Sequence, residues 1–227
     1  MDVLLSYHPR DLLLFSPRVY WAMVAGNNDA YHLLAWLAPI TGLGLLWLLG
    51  RGKQRDRRVA FAVVGVAWWF VTWSFLWQEY RSINWAVTWA IPLFVAMGAW
   101  LLLMAALPEQ RACRPHRFRL GMMLVLWGTL LHPLGFLLDD RSLEAADTWL
   151  LFPEPLAITT LGLVLAGLQG WRLALSMPVP LLWSLVGGAT LLGLGSPVGW
   201  AVLACAGAAV VGWLPLSPAI QNQRGTC

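Results

Sequence analysis

Long apolar runs separated by short polar segments are the dominant pattern of this chain. Seven runs have the length of a membrane-spanning helix, which needs about twenty mostly apolar residues. They cover residues 31–50, 59–77, 85–107, 120–138, 155–175, 179–195 and 198–215. The last two are short and are separated only by Ser196-Pro197, so six spans with a re-entrant segment remain an alternative. The pattern predicts an all-α fold, a polytopic membrane helix bundle with about seven transmembrane helices.

The residues before the first run predict a short helix that lies along the membrane interface. Ser16 can cap this helix, and Pro17 suits its first turn, where the missing N–H of proline costs nothing. The helix either stops near Gly26 or continues into the first span. The predicted organisation is an interfacial segment 1–30, a single transmembrane helical domain 31–215 and a cytoplasmic tail 216–227.

The stretch 68–89, WWFVTWSFLWQEYRSINWAVTW, predicts a helical hairpin. Two tryptophan-rich runs flank the polar residues 78–83, which read as a tight turn between the second and third spans. Tryptophan rings favour the membrane interface because they combine an apolar body with a polar N–H. The aromatic residues therefore indicate an interfacial anchor, and the turn is the first place to look for a binding site.

Composition supports membrane insertion. Of the 227 residues, 59% are hydrophobic and 11% are charged, whereas soluble domains carry about 25% charged residues. The basic residues lie between apolar runs, so the lipid bilayer is the expected partner and nucleic acid is not. The three cysteines are far apart, which predicts neither a metal site nor a disulfide framework.

The distribution of basic residues predicts the orientation of the chain. Eleven lie on one side of the predicted spans and four on the other, so the first side is cytoplasmic by the positive-inside rule. The first group is Arg51, Lys53, Arg55, Arg57, Arg58, Arg111, Arg114, Arg117, Arg119, Arg172 and Arg224, and the second is Arg10, Arg18, Arg81 and Arg141. This predicts a multi-pass protein of the bacterial cytoplasmic (inner) membrane, with the N-terminus outside and the C-terminus inside.

Polar side chains gather at the predicted outer ends of the spans and form a candidate ligand-binding vestibule. Its residues are Asn28, His32, Gln78, Glu79, Arg81, Asn84, His132, Glu154 and Thr160. His132 is predicted to lie deepest, and a charged group at such depth costs roughly 2–3 kcal/mol and is a functional candidate by default. The alternative is a structural histidine at a kink, because Pro133 leaves the Thr129 carbonyl without its helical donor.

The sequence favours a non-enzymatic protein. No lysine lies within a span, and no HExxH, GxSxG or P-loop pattern is present, so no catalytic residue is expected. The expected function is a small-solute or ion permease with an outward-facing polar vestibule. An accessory or assembly subunit, bound to other membrane subunits or to a second copy, is one alternative. The other is a haem-binding redox subunit with His32 and His132 as axial ligands, although the sequence requires no cofactor.

Four motifs resemble an uncharacterised bacterial family of small integral membrane proteins of unknown function. They are LFSPRVY at 14–20, WQxYxxINWA at 77–86, PxP at 153–155 leading to TLG at 160–162, and LLWSLxxGAT at 181–190. The resemblance spans nearly the whole chain, and its members are sometimes labelled permease-like. The chain departs from the family pattern at two places. Members tend to have Trp-Pro where this chain has Tyr31-His32, and they often have a histidine near the position of Leu76. The resemblance therefore implies fold and location, not a role for histidine.

Overall fold

The computed structural model describes residues 15–107, 115–139 and 141–214, which form eight helices and no strand. The helices are α1 (Pro17–Ala30), α2 (His32–Gly50), α3 (Gln54–Ile83), α4 (Trp85–Ala106), α5 (Pro115–Leu137), α6 (Pro153–Gly167), α7 (Gly170–Gly193) and α8 (Val198–Trp213). The all-α prediction is confirmed. The tail 216–227 and residues 1–14 of the predicted interfacial segment lie outside the described residues, as do Arg10, Arg111, Arg114 and Arg224.

Five helices, α2, α3, α4, α5 and α7, are long and apolar enough to cross a membrane by length and composition. The other two that the sequence predicted as spans, α6 and α8, are apolar but have only 15 and 16 residues. A helix of 15 residues is roughly 22 Å long, shorter than the bilayer hydrocarbon core of about 30 Å. The five longer helices are compatible with a membrane protein, and α6 and α8 are each shorter than the hydrocarbon core.

Helix α6 is the centre of the bundle. All of its residues are buried, and it contacts α3, α5, α7 and α8. A helix enclosed by protein has no lipid-facing surface, so its length need not match the bilayer. The enclosed position explains how so short a helix is accommodated among longer ones.

Glycines let α6 and α5 approach closely. A β-carbon added at Gly162 would lie 2.5 Å from the carbonyl oxygen of Gly121, and one at Gly128 would lie 2.7 Å from that of Pro155. A similar contact joins the last two helices, where a β-carbon at Gly199 would lie 2.5 Å from the Gly188 carbonyl oxygen. Small residues at helix crossings are the usual means of close packing in membrane bundles.

The first helix begins as predicted, and its end decides between the two predicted alternatives. Val19 donates its backbone N–H to Ser16 Oγ at 3.4 Å, and Pro17 occupies the first turn. The helix passes through Gly26 and ends at Ala30, and α2 begins at His32, so of the two predicted alternatives the stop near Gly26 is wrong and the chain continues to the start of the first span. A glycine inside a helix costs only about 1 kcal/mol relative to alanine, which the burial of the surrounding face offsets.

The predicted turn at 78–83 is helical. Helix α3 continues through these residues, and the chain reverses at Asn84, whose backbone is extended (φ −142°, ψ 94°). Asn84 Oδ1 accepts the Ala86 N–H at 3.2 Å and so caps the start of α4. Polar residues at an exposed helix end remain hydrated without leaving the helix, so their polarity does not require a turn.

The predicted boundary between the fifth and sixth spans is also wrong. The run 155–175 is interrupted after Gly167, and Gly170, at φ 56°, begins a helix that continues to Gly193. Positive φ favours glycine because it has no β-carbon, so the chain turns at Gly170. The break predicted at Ser196-Pro197 is confirmed between α7 and α8.

The two ends of the bundle differ in charge. The basic end holds the described residues Arg51, Lys53, Arg55, Arg57, Arg58, Arg117, Arg119 and Arg172, together with Asp56, which pairs with Arg51 at 2.9 Å. There, Arg117 donates from Nε to the Gly212 carbonyl at 2.9 Å and from Nη2 to that of Trp213 at 2.7 Å, which caps the last turn of α8. At the opposite, acidic end lie Asp29, Glu79, Asp139, Glu144, Asp147 and Glu154 with Arg18, Arg81 and Arg141.

Candidate functional site

The structure distributes the predicted vestibule residues among three environments. Gln78, Glu79, Arg81 and Asn84 lie on the surface where α3 meets α4. Asn28 and His32 line a groove of about 740 Å³ beside α1, α2 and α5. His132, Glu154 and Thr160 are enclosed within the bundle.

Two of these surface residues have contacts with neighbours on the same helix. The Arg81 guanidinium lies over the Trp77 ring, 3.7 Å from its centroid. The Glu79 carbonyl accepts a hydrogen bond from Ser82 Oγ at 2.6 Å. Both contacts lie within the last turns of α3.

Thr160 lies in the packed core. Its hydroxyl donates to the Leu156 carbonyl of its own helix at 2.8 Å and accepts a hydrogen bond from Trp68 Nε1 at 2.8 Å. Threonine hydroxyls in helices commonly bond the preceding turn in this way. Thr160 therefore joins α6 to α3.

A buried charged cluster, not predicted from the sequence, lies at the acidic end. Arg141 Nε is 2.9 Å from Asp139 Oδ2, and Arg141 Nη1 is 3.1 Å from Asp147 Oδ2. Ser196 Oγ donates to Asp139 Oδ2 at 2.7 Å, which ties the loop before α6 to the turn between α7 and α8. We call these residues, with His132, the Arg141 cluster.

His132 completes the Arg141 cluster from α5. Its Nε2 is 4.0 Å from Asp147 Oδ2, and its ring is enclosed. Neither ring nitrogen has a hydrogen-bond partner in the part of the chain that the structure describes. The Trp21 ring closes the cluster from α1, with its centroid 3.9 Å from the Arg141 guanidinium carbon.

Further buried polar groups at this end are also unpartnered within the described residues. They are both amide atoms of Asn27, the Oδ1 atoms of Asn28 and Asp147, and the Thr148 hydroxyl. The large majority of buried side-chain polar atoms in proteins have a partner, and the exceptions point to a bound water, an ion or a functional role. Their concentration at the acidic end distinguishes it as the candidate site.

The charge of Asp147 is disfavoured in the folded protein. Burial raises its pKa to about 6, and the Arg141 guanidinium acts in the opposite direction. An unfolded aspartate titrates at about 3.9, so the folded protein binds this proton more tightly. The stability that the protonated group contributes is full below about pH 4 and is lost as the pH rises to about 6.

Glu154 and Tyr20 border the same region. The Glu154 side chain packs on α7, where a β-carbon at Gly187 would lie 2.7 Å from Glu154 Cγ. Burial is the largest cause that raises the pKa of the Tyr20 hydroxyl, and the nearby charges of Glu154 and Asp147 raise it further. The acidic end therefore brings several titratable side chains close together inside the bundle.

Two helices change their winding as they approach this end. Helix α3 adopts π geometry over Thr72–Tyr80, and α5 adopts it over Trp127–Leu131 and then 3₁₀ geometry over His132–Leu137. The cause in α5 is Pro133, which lacks an N–H and clashes with the preceding turn. Such π segments are frequent at functional sites, and His132 lies where one of them ends.

A profile of a family described as a family of unknown function, DUF6064, matches residues 17–220. The match confirms the predicted resemblance to an uncharacterised family. No curated protein and no solved structure matches the chain.

Proposed function

We propose that this chain, which belongs to the family of unknown function DUF6064, is a small permease that admits a hydrophilic solute at its acidic end. The observation that carries the proposal is the enclosed His132 side chain, which has two unpartnered ring nitrogens and faces Asp147. The solute would bind beside the Arg141 cluster, where donors and acceptors are both present.

The energetics favour a site that water or solute reaches. Each buried polar group without a partner costs about 1–3 kcal/mol, and His132, Asn27 and Asp147 together carry several. A helix bundle that served only as a scaffold would replace these side chains with apolar ones at little cost. Small polar solutes that enter would supply the missing hydrogen bonds.

The glycine contacts between α5 and α6 close the bundle on the side of the cluster that faces the basic end. Transport then requires a second conformation in which this packing opens. The π segments of α3 and α5 supply a place for the change, because their hydrogen-bond pattern differs from that of the rest of each helix.

The charge difference between the ends supports the orientation proposed for the permease. With the basic end cytoplasmic, the acidic end and its cluster face outward. In this arrangement α6 and α8 count as the two remaining spans of a seven-helix protein, and the bacterial inner membrane is the proposed location.

The proposal is tested by solute flux into proteoliposomes. We expect the wild-type protein to accelerate uptake of at least one solute from a panel of small polyols, amino acids and monovalent ions. Substituting His132→Gln should reduce that uptake by about tenfold, the effect of losing about 1.4 kcal/mol of solute binding. His116→Gln, on an exposed histidine near the start of the same helix, is the matched control and should transport normally.

Thermal unfolding of both variants separates a loss of transport from a loss of fold. Uptake that equals that of protein-free liposomes for every solute would contradict the permease proposal. A His132→Gln variant that transports like the wild type would contradict the assignment of the site.

An accessory subunit of a membrane complex is a second candidate. The supporting observation is a row of half-exposed tryptophans on α3, Trp69, Trp73 and Trp77, beside a cleft of about 310 Å³. A haem-binding subunit receives less support, because His32 lines the groove on the bundle surface whereas His132 is enclosed in the Arg141 cluster. A protein that always purifies as a lone monomer would count against the subunit hypothesis.

A further inference from the structure

The groove of about 740 Å³ at the acidic end is amphipathic along its length. Asp29 and His32 lie at its rim, and Trp36 and Pro39 lie one and two turns further along α2. Leu130 and Leu134 from α5 form the facing wall. The lining therefore changes from polar to apolar with distance from the acidic end.

Two residues that line the groove each carry a buried polar atom that is unpartnered within the described residues. The Asn28 amide nitrogen donates to the carbonyls of Glu144 at 2.7 Å and Ala146 at 2.9 Å, which fixes the side chain and leaves Oδ1 without a donor. The Thr148 hydroxyl is unpartnered as well. Asn28 is 9% exposed and Thr148 is 7% exposed, so both polar groups lie beneath the surface of the groove without the partner that most buried polar side chains have.

The polar part of the groove is rich in acceptors and negatively charged. The carboxylates of Asp29 and Glu144 line it together with Asn28, and no arginine or lysine lines it in the part of the chain that the structure describes. A complementary ligand therefore carries a positive charge and hydrogen-bond donors at one end and a hydrocarbon chain at the other.

We propose that this groove binds a lipid with a primary ammonium headgroup, of the phosphatidylethanolamine class. The ammonium lies between Asp29 and Glu144, which are both exposed, and one acyl chain follows Trp36 and Pro39 toward the apolar end. A lipid fits better than a partner helix, because the lining is polar and acidic at one end and apolar along the rest, as a headgroup with an attached hydrocarbon chain requires. This site is separate from the Arg141 cluster and does not rest on the proposed transport function.

Native mass spectrometry of the purified full chain with added lipids tests the proposal. Phosphatidylethanolamine, phosphatidylcholine and phosphatidylglycerol with identical acyl chains are compared, because only the first has N–H donors on a cation. We expect phosphatidylethanolamine to bind at least about tenfold more tightly than the other two, the effect of one charge-assisted hydrogen bond or more.

The double variant Asp29→Asn and Glu144→Gln should reduce this preference to within about twofold. Both side chains are exposed, so the variant should fold, and Glu79→Gln, at an exposed carboxylate outside the groove, is the control that should retain the preference. Equal binding of the three lipids, an unchanged preference in the double variant, or a protein subunit found in the groove would overturn the proposal.

Discussion

Replacing Gly162 by alanine is expected to lower the free energy of unfolding by at least about 3 kcal/mol. The added β-carbon would lie 2.5 Å from the Gly121 carbonyl oxygen and 2.7 Å from the Val125 backbone nitrogen. Both atoms belong to the backbone of α5, so neither can rotate away as a side chain could. The two helices must separate, which disturbs the packing around the enclosed helix α6.

Unfolding in mixed micelles, followed by circular dichroism, measures this change. Gly44→Ala in α2 is the matched control, because a β-carbon there meets no atom within 4 Å. The control should be neutral or gain up to about 1 kcal/mol from the higher helix propensity of alanine. Equal changes in the two variants would contradict the assignment of α6 as the packed centre of the bundle.

Replacing Arg141 by methionine is expected to destabilise the protein by about 3–5 kcal/mol at pH 7. Methionine fills a similar volume but leaves Asp139 and Asp147 without their cation. A buried charge that loses its partner retains the full cost of its desolvation. The loop before α6 would also lose the cation contact of Arg141 with Trp21.

The pH dependence of the stability of Arg141→Met shows whether unpaired carboxylates cause the loss. Burial already raises the pKa of Asp147 to about 6, and removing the Arg141 charge, which opposes burial, should raise it further. Protonation of Asp147 then removes the unpaired charge. The free energy of unfolding of the variant should therefore fall short of the wild-type value by less at pH 5 than at pH 7.

Arg81→Met is the control, since the exposed Arg81 has a cation contact with Trp77 worth about 1 kcal/mol at most. A deficit in Arg141→Met that does not change between pH 5 and pH 7 would contradict the electrostatic explanation.

Hydrophobic runs predicted the helices better than they predicted the helix ends. The apolar run at 155–175 contains two helices because Gly170 adopts positive φ, and a run of apolar residues does not show backbone conformation. The polar segment at 78–83 was predicted to turn, yet the reversal occurs at Asn84, a residue that can cap a helix. Capping and glycine positions carried the information that average hydrophobicity lacked.

The candidate site was predicted only in its general location. His132, Asn28 and Glu154 do lie at the acidic end, whereas Thr160 bonds Trp68 and Leu156 in the core. The charged neighbours of His132 were not predicted, because charged residues in a loop ordinarily face water. Burial of Asp147 depends on the packing of α1 and the α7–α8 turn over the loop, which no local pattern in the sequence encodes.

Water and small solutes are expected to reach the enclosed side chains at the acidic end. Reaction of His132→Cys with a small, membrane-impermeant thiol reagent tests it most directly, in a protein whose native cysteines are replaced by serine. Val125→Cys is the control, because Val125 is fully buried on the same helix beside Gly162. We expect His132→Cys to react from the side of the acidic end while Val125→Cys stays unmodified. Equal protection of both positions would contradict the claim and leave the Arg141 cluster a structural element.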